Sequence, residues 1–392
     1  AGEMKVLLTI VLVLLAGHTT SLKAEEADVT WVRFLGDRIN GGDAIGAWPS
    51  GEGLTVLAST RGFDLDGKVI PSGHVLLRLN EGGVIVQATS VDAPDAAYSF
   101  AEPGIDGAFY MFALQYDGDR GHALLFKFGP DGHVRWQREL PHFQLGDGRI
   151  QPEALAAGPD GSVAVIWRHP LGDGIPTSTA YPLPPPRIAL FAANGTRFWR
   201  RASEYRFATA LAVGPGPTVY VAAGRGTLAA IGPGGNTLWR RALIPRREGE
   251  YPIIGSLAVS PAGRICGAGL VYHVARREQT AWPDAIVACR EGGQPQWFGA
   301  FGGNDSDAAT DIAFLPGDGV AVIGGTESPV FDGTKTSGDD DMFVATFGHD
   351  GAPGGVPLVL GGADDDVATQ LVVTGAGGAR FAVGSTLSKT FA

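Results

Sequence analysis

Short apolar runs separated by turns rich in glycine recur along most of this chain. The clearest example places apolar runs at 310–315, 320–324 and 342–347, with polar turns at 316–319 and 349–351. Each run is rich in β-branched or aromatic residues and is bounded by glycine, proline or aspartate, which is typical of β-strands joined by tight turns. The pattern therefore predicts an all-β chain.

One tryptophan position repeats along the chain and sets the length of the repeating unit. Five of the eight tryptophans occupy this position, and the last four of them follow a glycine-rich turn. They are Trp31, Trp136, Trp199, Trp239 and Trp297. A repeat of roughly 40–60 residues built from short strands indicates radial or stacked β units.

The number of strands favours a propeller. If the strands of a blade are called A to D from the axis outward, the repeated tryptophan lies on strand D, and tight turns join A to B and C to D. Seven A–B pairs can be counted, near Ala44, Ala97, Glu153, Ala208, Gly255, Thr310 and Ala368. We therefore predict a seven-bladed β-propeller of four-stranded antiparallel blades over residues 28–392.

The two ends of the chain are expected to share the last blade. A lone D strand at 30–35 comes first, and an A–B pair at 370–373 and 380–384 comes last. If the first strand joins that pair, the closing blade lacks only strand C. This predicts a C-terminally truncated chain, unless residues 389–392 begin an unusually early C strand.

Residues 1–24 have the pattern of a secretory signal peptide with a short N-terminal extension. An apolar run at 6–16 follows a small positive region, and cleavage is expected after Ser21 or Ala24. The run is shorter than the ~20 residues that span a membrane, although an uncleaved anchor is the alternative. We predict a bacterial protein that is periplasmic, secreted or at the cell surface, with no membrane span after cleavage.

The sequence contains two cysteines, Cys266 and Cys289. The order of strands puts the first at the start of strand B and the second at the end of strand C in the fifth blade. Because B and C run antiparallel, these ends lie side by side, within the ~7 Å between Cα atoms that a disulfide requires. We predict a disulfide, which an exported protein can hold, and two separate buried thiols are the alternative.

Composition limits the classes of partner. The 392 residues include 59 glycines and carry a formal net charge of −11. Binding of nucleic acid needs clustered lysine and arginine, so no nucleic-acid partner is expected. A glycine-rich chain without a collagen period agrees with a turn-rich β fold. We expect a monomer.

The last complete unit resembles a known repeat. It contains Phe-Gly-Gly at 301–303, Gly-Gly-Thr at 324–326 and Gly-Asp-Asp-Asp-Met-Phe-Val-Ala at 338–345, and part of it returns at 360–366. This unit resembles the bacterial β-propeller repeat of exported seven-bladed propellers. The middle units, such as 226–239, are similar to quinoprotein-type propeller repeats. The resemblance implies the fold and export, but no single activity, because propellers host many functions.

Two sets of charged loop residues are candidate sites, because the D–A and B–C loops of a propeller emerge on the same face. The basic set is a candidate for binding an anionic ligand and consists of Arg168, His169, Arg246, Arg247, Arg276 and Arg277. The acidic set is a candidate Ca²⁺ site and consists of Asp305, Asp307, Asp339, Asp341, Asp364 and Asp366. Solvated loop charge and ordinary turn aspartates are the alternatives.

Arginine also recurs two residues after the repeated tryptophan, at Arg33, Arg138, Arg201 and Arg241. Alternate residues of a strand share a face, so we interpret these arginines as stacked on tryptophan at the blade edge.

No sequence motif identifies an enzyme, because HExxH, GxSxG, P-loop and CxxC patterns are all absent. We predict an exported binding or scaffolding module whose loop face takes a protein or polysaccharide, with an anionic glycan as one candidate. No cofactor is predicted, and Ca²⁺ is the one candidate ion. The alternatives are a quinoprotein-like oxidoreductase, a polysaccharide-acting propeller enzyme and a structural cell-surface protein.

Overall fold

The computed structural model describes residues 10–16, 28–35, 43–51, 53–65, 68–93, 98–117, 120–140, 143–144, 151–168, 185–205, 207–245, 247–273, 282–373 and 380–386. Every regular element in these ranges is a β-strand. None of them contains a helix with the length and apolar character needed to cross a membrane. The chain divides into two compact units, unit 1 with residues 1–90, 244–260 and 264–392, and unit 2 with residues 91–243 and 261–263.

The strands follow one another with tight turns between most of them. The first part of unit 1 contains β1 (Ile10–Ala16), β2 (Asp28–Leu35), β3 (Asp43–Ser50), β4 (Gly53–Leu65), β5 (Lys68–Leu79) and β6 (Ile85–Ser90). Unit 2 contains β7 (Tyr98–Pro103), β8 (Phe109–Asp117), β9 (Arg120–Phe128), β10 (Val134–Glu139), β11 (Phe143–Gln144), β12 (Gln151–Ala157), β13 (Val163–Arg168), β14 (Arg187–Phe191), β15 (Arg197–Ala202), β16 (Ala208–Gly214), β17 (Thr218–Ala223), β18 (Thr227–Ile231) and β19 (Thr237–Ala242). The rest of unit 1 contains β20 (Glu250–Val259), β21 (Ile265–His273), β22 (Asp284–Glu291), β23 (Gln294–Phe301), β24 (Asp307–Phe314), β25 (Val320–Thr326), β26 (Val330–Phe331), β27 (Thr334–Lys335), β28 (Asp341–Phe347), β29 (Leu358–Leu360), β30 (Asp366–Val373) and β31 (Arg380–Thr386).

Six blades are built from strands that follow one another in the chain. They are blade 1 (β3–β6), blade 2 (β7–β10, with β11 beside β9), blade 3 (β12–β15), blade 4 (β16–β19), blade 5 (β20–β23) and blade 6 (β24, β25, β28 and β29). Neighbouring strands pair antiparallel, as in blade 3. The prediction of an all-β protein made of four-stranded antiparallel propeller blades is confirmed.

A further four-stranded sheet, the terminal sheet, takes strands from both ends of the chain in the order β2-β1-β31-β30. The predicted count of seven blades is therefore corrected to six blades of consecutive strands and this sheet. The expectation that strand C is missing here was wrong, because β1 pairs with β31 on one side and β2 on the other. The segment Ile10–Ala16 is apolar and partly β-branched, so it suits a strand as well as the core of a signal peptide.

Adjacent sheets share apolar layers. In unit 1 these layers join blade 5 to blade 6, blade 6 to the terminal sheet, and the terminal sheet to blade 1. In unit 2 they join blade 2 to blade 3 and blade 3 to blade 4. A middle strand is covered on both faces, and β13 is accordingly buried along its whole length. Such strands are continuous apolar runs in the sequence instead of alternating patterns.

The repeated tryptophan follows a bulge in the outermost strand of its blade. In blade 3, Leu190 pairs with Trp199 and Phe191 pairs with Arg197, so Phe198 is the extra residue. The same irregularity precedes the tryptophan in blades 2, 4 and 5. A bulge increases local twist and re-aims the next side chain. This places the tryptophan against the following blade.

The tryptophan packs there on a glycine in the C–D turn. The pairs are Trp136 with Gly195, Trp199 with Gly235, and Trp297 with Gly351. In the first pair, a Cβ atom on Gly195 would lie 2.9 Å from the indole ring of Trp136. The φ of Gly195 is +79°, so this position requires glycine both for its backbone conformation and for the close ring.

The predicted disulfide is confirmed. Cys266 of β21 and Cys289 of β22 are direct cross-strand partners, with 4.1 Å between their Cα atoms. Both side chains are fully buried between blades 5 and 6. The bridge therefore joins the two middle strands of blade 5 within the core.

The inner strands of unit 1 are tied by side chains that cross between sheets. Asp311 of blade 6 accepts a hydrogen bond from the Ser256 hydroxyl of blade 5 at 2.7 Å and one from the Leu371 N–H of the terminal sheet at 2.8 Å. Gln370 of the terminal sheet bonds both the N–H and the carbonyl of Ala47 in blade 1. Burial raises the pKa of Asp311 above its ordinary value. These bonds run through four successive sheets.

Candidate functional site

The D–A and B–C loops of blade 5 meet at one end of the blade, which we call its loop end. Strand register pairs Glu250, the first residue of β20, with His273, the last residue of β21. It also pairs Val271 with Asp284, the first residue of β22. Side chains from three strands are therefore brought together at this loop end.

Three exposed aromatic side chains lie there and form what we call the aromatic group. They are Tyr251, Tyr272 and Trp282, with 41%, 43% and 52% of their surface exposed. Tyr251 and Tyr272 are direct partners across β20 and β21, so their side chains project from the same face. Grouped exposed apolar surface marks interaction sites, whereas single exposed residues are ordinary.

Hydrogen-bonding groups also lie at this loop end, and strand alternation places the Glu250–His273 pair on the opposite face of the sheet from the two tyrosines. The Nε2 atom of His273 lies 2.9 Å from the Oδ2 atom of Asp284, and both side chains are partly exposed. The Nη1 atom of Arg247 lies 3.6 Å from the Oε1 atom of Glu250. The Arg247 guanidinium also lies 5.5 Å from the ring centre of Phe298, which holds it by a cation–π contact. A polar ligand at this loop end would meet aromatic rings, carboxylates, an imidazole and a guanidinium.

A buried aspartate closes the loop between blades 5 and 6. Asp307 is fully buried and its Oδ2 atom accepts hydrogen bonds from the Gly303 N–H at 2.7 Å and the Ser328 hydroxyl at 3.0 Å. Its Oδ1 atom accepts a hydrogen bond from the Thr326 hydroxyl. Burial raises the pKa of Asp307, although these hydrogen bonds act in the opposite direction. A Cβ atom on Gly302 would lie 2.5 Å from Asp307 Oδ2, so the carboxylate needs a glycine beside it.

The same arrangement recurs between blade 6 and the terminal sheet. Asp366 is fully buried and accepts a hydrogen bond from the Gly362 N–H at 2.7 Å. Its own N–H donates to the Asp340 carbonyl at 2.7 Å, as that of Asp307 donates to the Pro283 carbonyl at 2.8 Å. We call each unit of buried aspartate and Gly-Gly loop an aspartate clasp. The clasp explains the Gly-Gly…Asp spacing of the repeat as a way to join two sheets.

The six aspartates predicted as Ca²⁺ ligands divide into two groups. Asp307, Asp341 and Asp366 are fully buried, and each accepts a hydrogen bond from a backbone N–H of a loop. The other three, Asp305, Asp339 and Asp364, lie at least partly exposed in the loops. Within the described ranges, no three His, Cys, Asp or Glu side chains gather into a group that could hold a metal ion. The Ca²⁺ site stays a prediction without support from this geometry.

The exposed carboxylates of blade 6 crowd one another. Burial is the main reason for the raised pKa of Glu327, and the charges of Asp340 and Asp305 add to it. Burial likewise raises the pKa of Asp340, followed by the charges of Asp365 and Asp339. The loop end of blade 6 therefore carries a cluster of like charges in unit 1.

The predicted basic set is only partly described. Arg168 is buried, and its Nε atom lies 2.6 Å from the Oε1 atom of Glu153. Burial raises the pKa of Glu153 although Arg168 acts against it. Arg247 is exposed and lies at the loop end of blade 5. The remaining four, His169, Arg246, Arg276 and Arg277, lie outside the described residues.

The interpretation of arginine stacked on tryptophan is confirmed for two of its members. The guanidinium of Arg138 lies 5.5 Å from the ring centre of Trp136, and that of Arg241 lies 5.5 Å from that of Trp239. Arg138 also donates to the Gly195 carbonyl of the next blade at 2.7 Å. The arginine therefore fastens the same glycine turn that its tryptophan covers.

The aromatic group and His273 were not predicted as site residues. Tyr251 and Tyr272 are far apart in the sequence and meet only because β20 and β21 pair in one register. A usable signal was present, because both tyrosines lie at strand ends beyond the apolar core positions of the blade. Bulky rings at such positions are not needed for packing.

Comparison with known proteins gives only distant similarities. No family model and no curated protein matches the sequence. A protein of unknown function from Bacteroides caccae is 12% identical, with a TM-score of 0.41 over 71% of this chain and 88% of that one. A luciferin-regenerating enzyme is 11% identical, with a TM-score of 0.39 over 86% and 90% of the two chains. BamB from Moraxella catarrhalis is 14% identical, with a TM-score of 0.39 over 88% and 99%.

Proposed function

We propose that this protein is an exported β-propeller binding module whose aromatic group on blade 5 binds a glycan. The observation that carries the proposal is the pair of in-register exposed tyrosines, Tyr251 and Tyr272, with exposed Trp282 just before β22 at the same loop end. Flat aromatic rings pack against the C–H faces of sugar rings, and nearby polar groups bond sugar hydroxyls. A ligand site usually combines a mostly apolar surface with a few converging polar groups.

Polar groups at the same loop end, on the other face of the sheet from the tyrosines, support a role for hydroxyl recognition. The imidazole of His273 and the carboxylate of Asp284 are joined at 2.9 Å and remain partly exposed. Each retains hydrogen-bonding capacity, because a carboxylate has several lone-pair positions and an imidazole has a second nitrogen. Arg247 and Glu250 supply a further donor and acceptor at the same loop end.

A binding assay with a polysaccharide panel tests this function. Neutral and acidic polysaccharides would be titrated into the purified protein by calorimetry, and released reducing ends would be measured in the same samples. We expect at least one glycan to bind, and the Tyr251→Ala and Tyr272→Ala variants to bind it at least about tenfold more weakly, as for loss of one aromatic contact.

The matched control is Phe100→Ala, because Phe100 is an aromatic residue of unit 2 with 39% of its surface exposed. It should bind like the wild type. Absence of binding by every glycan, or equal binding by the tyrosine variants, would contradict the proposal. Release of reducing ends would instead identify an enzyme that acts on polysaccharide.

Export and a seventh blade are part of the same proposal. The disulfide supports an oxidising compartment, and the terminal sheet supplies the four strands that a seventh blade needs. Export through a cleaved signal peptide and a complete seventh blade both involve one segment, because signal cleavage after Ser21 or Ala24 would remove β1 (Ile10–Ala16). Intact-mass measurement of the protein recovered outside the cytoplasm decides between them. A mass that retains residues 10–16 rules out the cleaved signal, and one that lacks them leaves the terminal sheet with three strands from this chain.

A further inference from the structure

Part of unit 2 has a charge opposite to that of the whole protein. Residues 187–243 contain eight arginines, no lysine and a single carboxylate, Glu204, in a chain whose formal net charge is −11. This stretch forms the outer half of blade 3 and all of blade 4. The arginines are thus concentrated on two adjacent blades.

The outermost strands of these blades carry much of that charge. Strands β15 and β19 are the edge strands of their sheets. Their arginines form a surface that we call the arginine edge, which consists of Arg197, Arg200, Arg201, Arg240 and Arg241. The side chains of Arg197 and Arg200 are exposed and make no ion pair with any residue in the described part of the chain.

Apolar side chains stand among these arginines at equivalent positions. Phe198 and Leu238 are the bulge residues before the repeated tryptophan in blades 3 and 4. They expose 49% and 52% of their surface. Leu238 also lies over Gly232 in the turn of its own blade, but about half of each of these apolar side chains remains open to solvent and available to a partner.

Two residues of the arginine edge already form ion pairs with one carboxylate of the same chain. Glu204 forms ion pairs with Arg201 of blade 3 and Arg240 of blade 4, and the Thr237 hydroxyl lies 3.3 Å from its Oε1 atom. Arg240 also lies 5.7 Å from the ring centre of Tyr205. Guanidinium groups from two blades therefore converge on a single acidic side chain. This is an internal example of the recognition that the edge offers to a partner.

We propose that the arginine edge docks an acidic segment of a partner protein, with Phe198 and Leu238 as its apolar contacts. Arginine forms planar two-point bonds with carboxylates that lysine cannot form. Enrichment in arginine and aromatic residues with few lysines and acids is the composition of protein interfaces. This surface lies in unit 2 and is independent of the glycan site proposed for blade 5.

Protection of an exposed sheet edge is the competing explanation. Charged side chains on an edge strand prevent pairing with other chains, and they need no partner to do so. That explanation accounts for the arginines, whereas it gives no role to exposed Phe198 and Leu238, which would favour association. The two explanations therefore differ in what substitution of the apolar residues does.

The test uses a synthetic peptide that alternates glutamate with leucine and phenylalanine, titrated into the full-length protein at physiological salt. Poly-L-glutamate and phosphatidylglycerol vesicles are the comparison probes. We expect the peptide to bind more tightly than both. The Arg197→Ala/Arg200→Ala variant should bind it at least about tenfold more weakly, and Phe198→Ser/Leu238→Ser should weaken it by about the same factor.

Arg61→Ala/Arg78→Ala is the charge-matched control, because both arginines are exposed on blade 1 in unit 1. It should leave peptide affinity unchanged. The Arg197→Lys/Arg200→Lys variant keeps the charge, so it should still weaken binding if two-point contacts matter. Failure of the wild type to bind the peptide, equal binding of poly-L-glutamate, preference for the vesicles, or no effect of the Phe198→Ser/Leu238→Ser change would each overturn the proposal. Aggregation of the arginine variant without any peptide binding by the wild type would establish edge protection.

Discussion

The blades of unit 1 and those of unit 2 follow one plan and share the tryptophan–glycine contact, which Trp297 and Gly351 make between blades 5 and 6, but they differ in the polar groups that fasten them. Between blades 5 and 6 and the terminal sheet, buried aspartates hold Gly-Gly loops, and Asp311 ties three inner strands. Between blades 2, 3 and 4, tryptophan and arginine of one outer strand clamp a glycine turn of the next. A four-stranded blade thus tolerates either type of joint, because the apolar layers between sheets are similar in both units.

The difference also separates the charges. In unit 1, the loops near the buried aspartates carry acidic side chains, whereas in unit 2 the outer strands carry arginines. A carboxylate with a raised pKa changes its charge as the pH passes through that value, whereas a guanidinium stays charged. The two units should therefore respond differently to mutation and to pH.

The largest loss of stability is expected from removing a tryptophan that packs on the glycine turn of the next blade. Trp199 is 8% exposed and covers Gly235, so Trp199→Ala should lower the free energy of unfolding by ~3–5 kcal/mol, as for other buried aromatic truncations. Denaturant unfolding measures this. Trp282→Ala is the matched control, because Trp282 is 52% exposed and its loss should cost less than about 0.5 kcal/mol. Equal effects of the two substitutions would show that the contact of Trp199 with Gly235 contributes nothing to stability.

Opening the disulfide should affect unit 1 alone. The bridge closes a loop with a sequence separation of 23, for which chain entropy gives ~3 kcal/mol. Cys266→Ala/Cys289→Ala should therefore speed hydrogen exchange in β21 and β22, while β13 and β17 of unit 2 keep their protection. Uniform loss of protection in both units would indicate that they unfold together.

The inner aspartate should make stability depend on pH. The pKa of Asp311 is raised above its ordinary 3.8 by burial, so the folded protein binds this proton more tightly than the unfolded chain does. Its contribution is complete below the ordinary pKa and is lost as the pH rises through the raised value. Asp311→Asn removes this titration and should flatten the pH dependence of the unfolding free energy above the ordinary aspartate pKa, at a cost of ~1–3 kcal/mol from one lost acceptor.

Asp350→Asn serves as the control for that measurement, because Asp350 is exposed in a turn, where its Oδ1 atom accepts a hydrogen bond from the Ala352 N–H. Its pH profile should match that of the wild type. If Asp311→Asn gives the same slope as the wild type, the buried carboxylate does not control the pH response of unit 1.

The smallest effect is expected from an outer arginine. Arg138→Ala removes a hydrogen bond to Gly195 and a contact with Trp136, so it should cost ~1 kcal/mol. Arg200→Ala, at an exposed position without an ion pair in the described part of the chain, should stay within about 0.5 kcal/mol. Thermal unfolding of both variants resolves the difference. A larger loss for Arg200→Ala would mean that stacking and the glycine contact do not explain the repeat.

The sequence predicted the parts of the molecule that repeat. The tryptophan position, the Gly turns and the apolar runs were sufficient for the blades, and antiparallel B and C strands were sufficient to pair Cys266 with Cys289. The bulge before each tryptophan was not predicted, because it depends on which residues pair across strands. Asp307 and Asp366 were assigned to Ca²⁺ because sequence does not distinguish a buried carboxylate bonded by loop N–H groups from a metal ligand.

The candidate site was less predictable than the fold. Arg247 was named from its loop position in the sequence, whereas the aromatic group arises from register between strands and from no local motif. The strands of the terminal sheet were predicted incorrectly for a different reason. A short apolar run fits both a signal peptide and a strand, and hydrophobicity alone does not decide between them.

The central claim is that the loop end of blade 5 binds a glycan, and hydrogen exchange with and without the selected polysaccharide tests it most directly. We expect protection confined to the strand ends around Tyr251 and Tyr272, with no change in β15 or β19. Protection that is absent at these two tyrosines for every polysaccharide, or that appears only on the outer strands of unit 2, would contradict it.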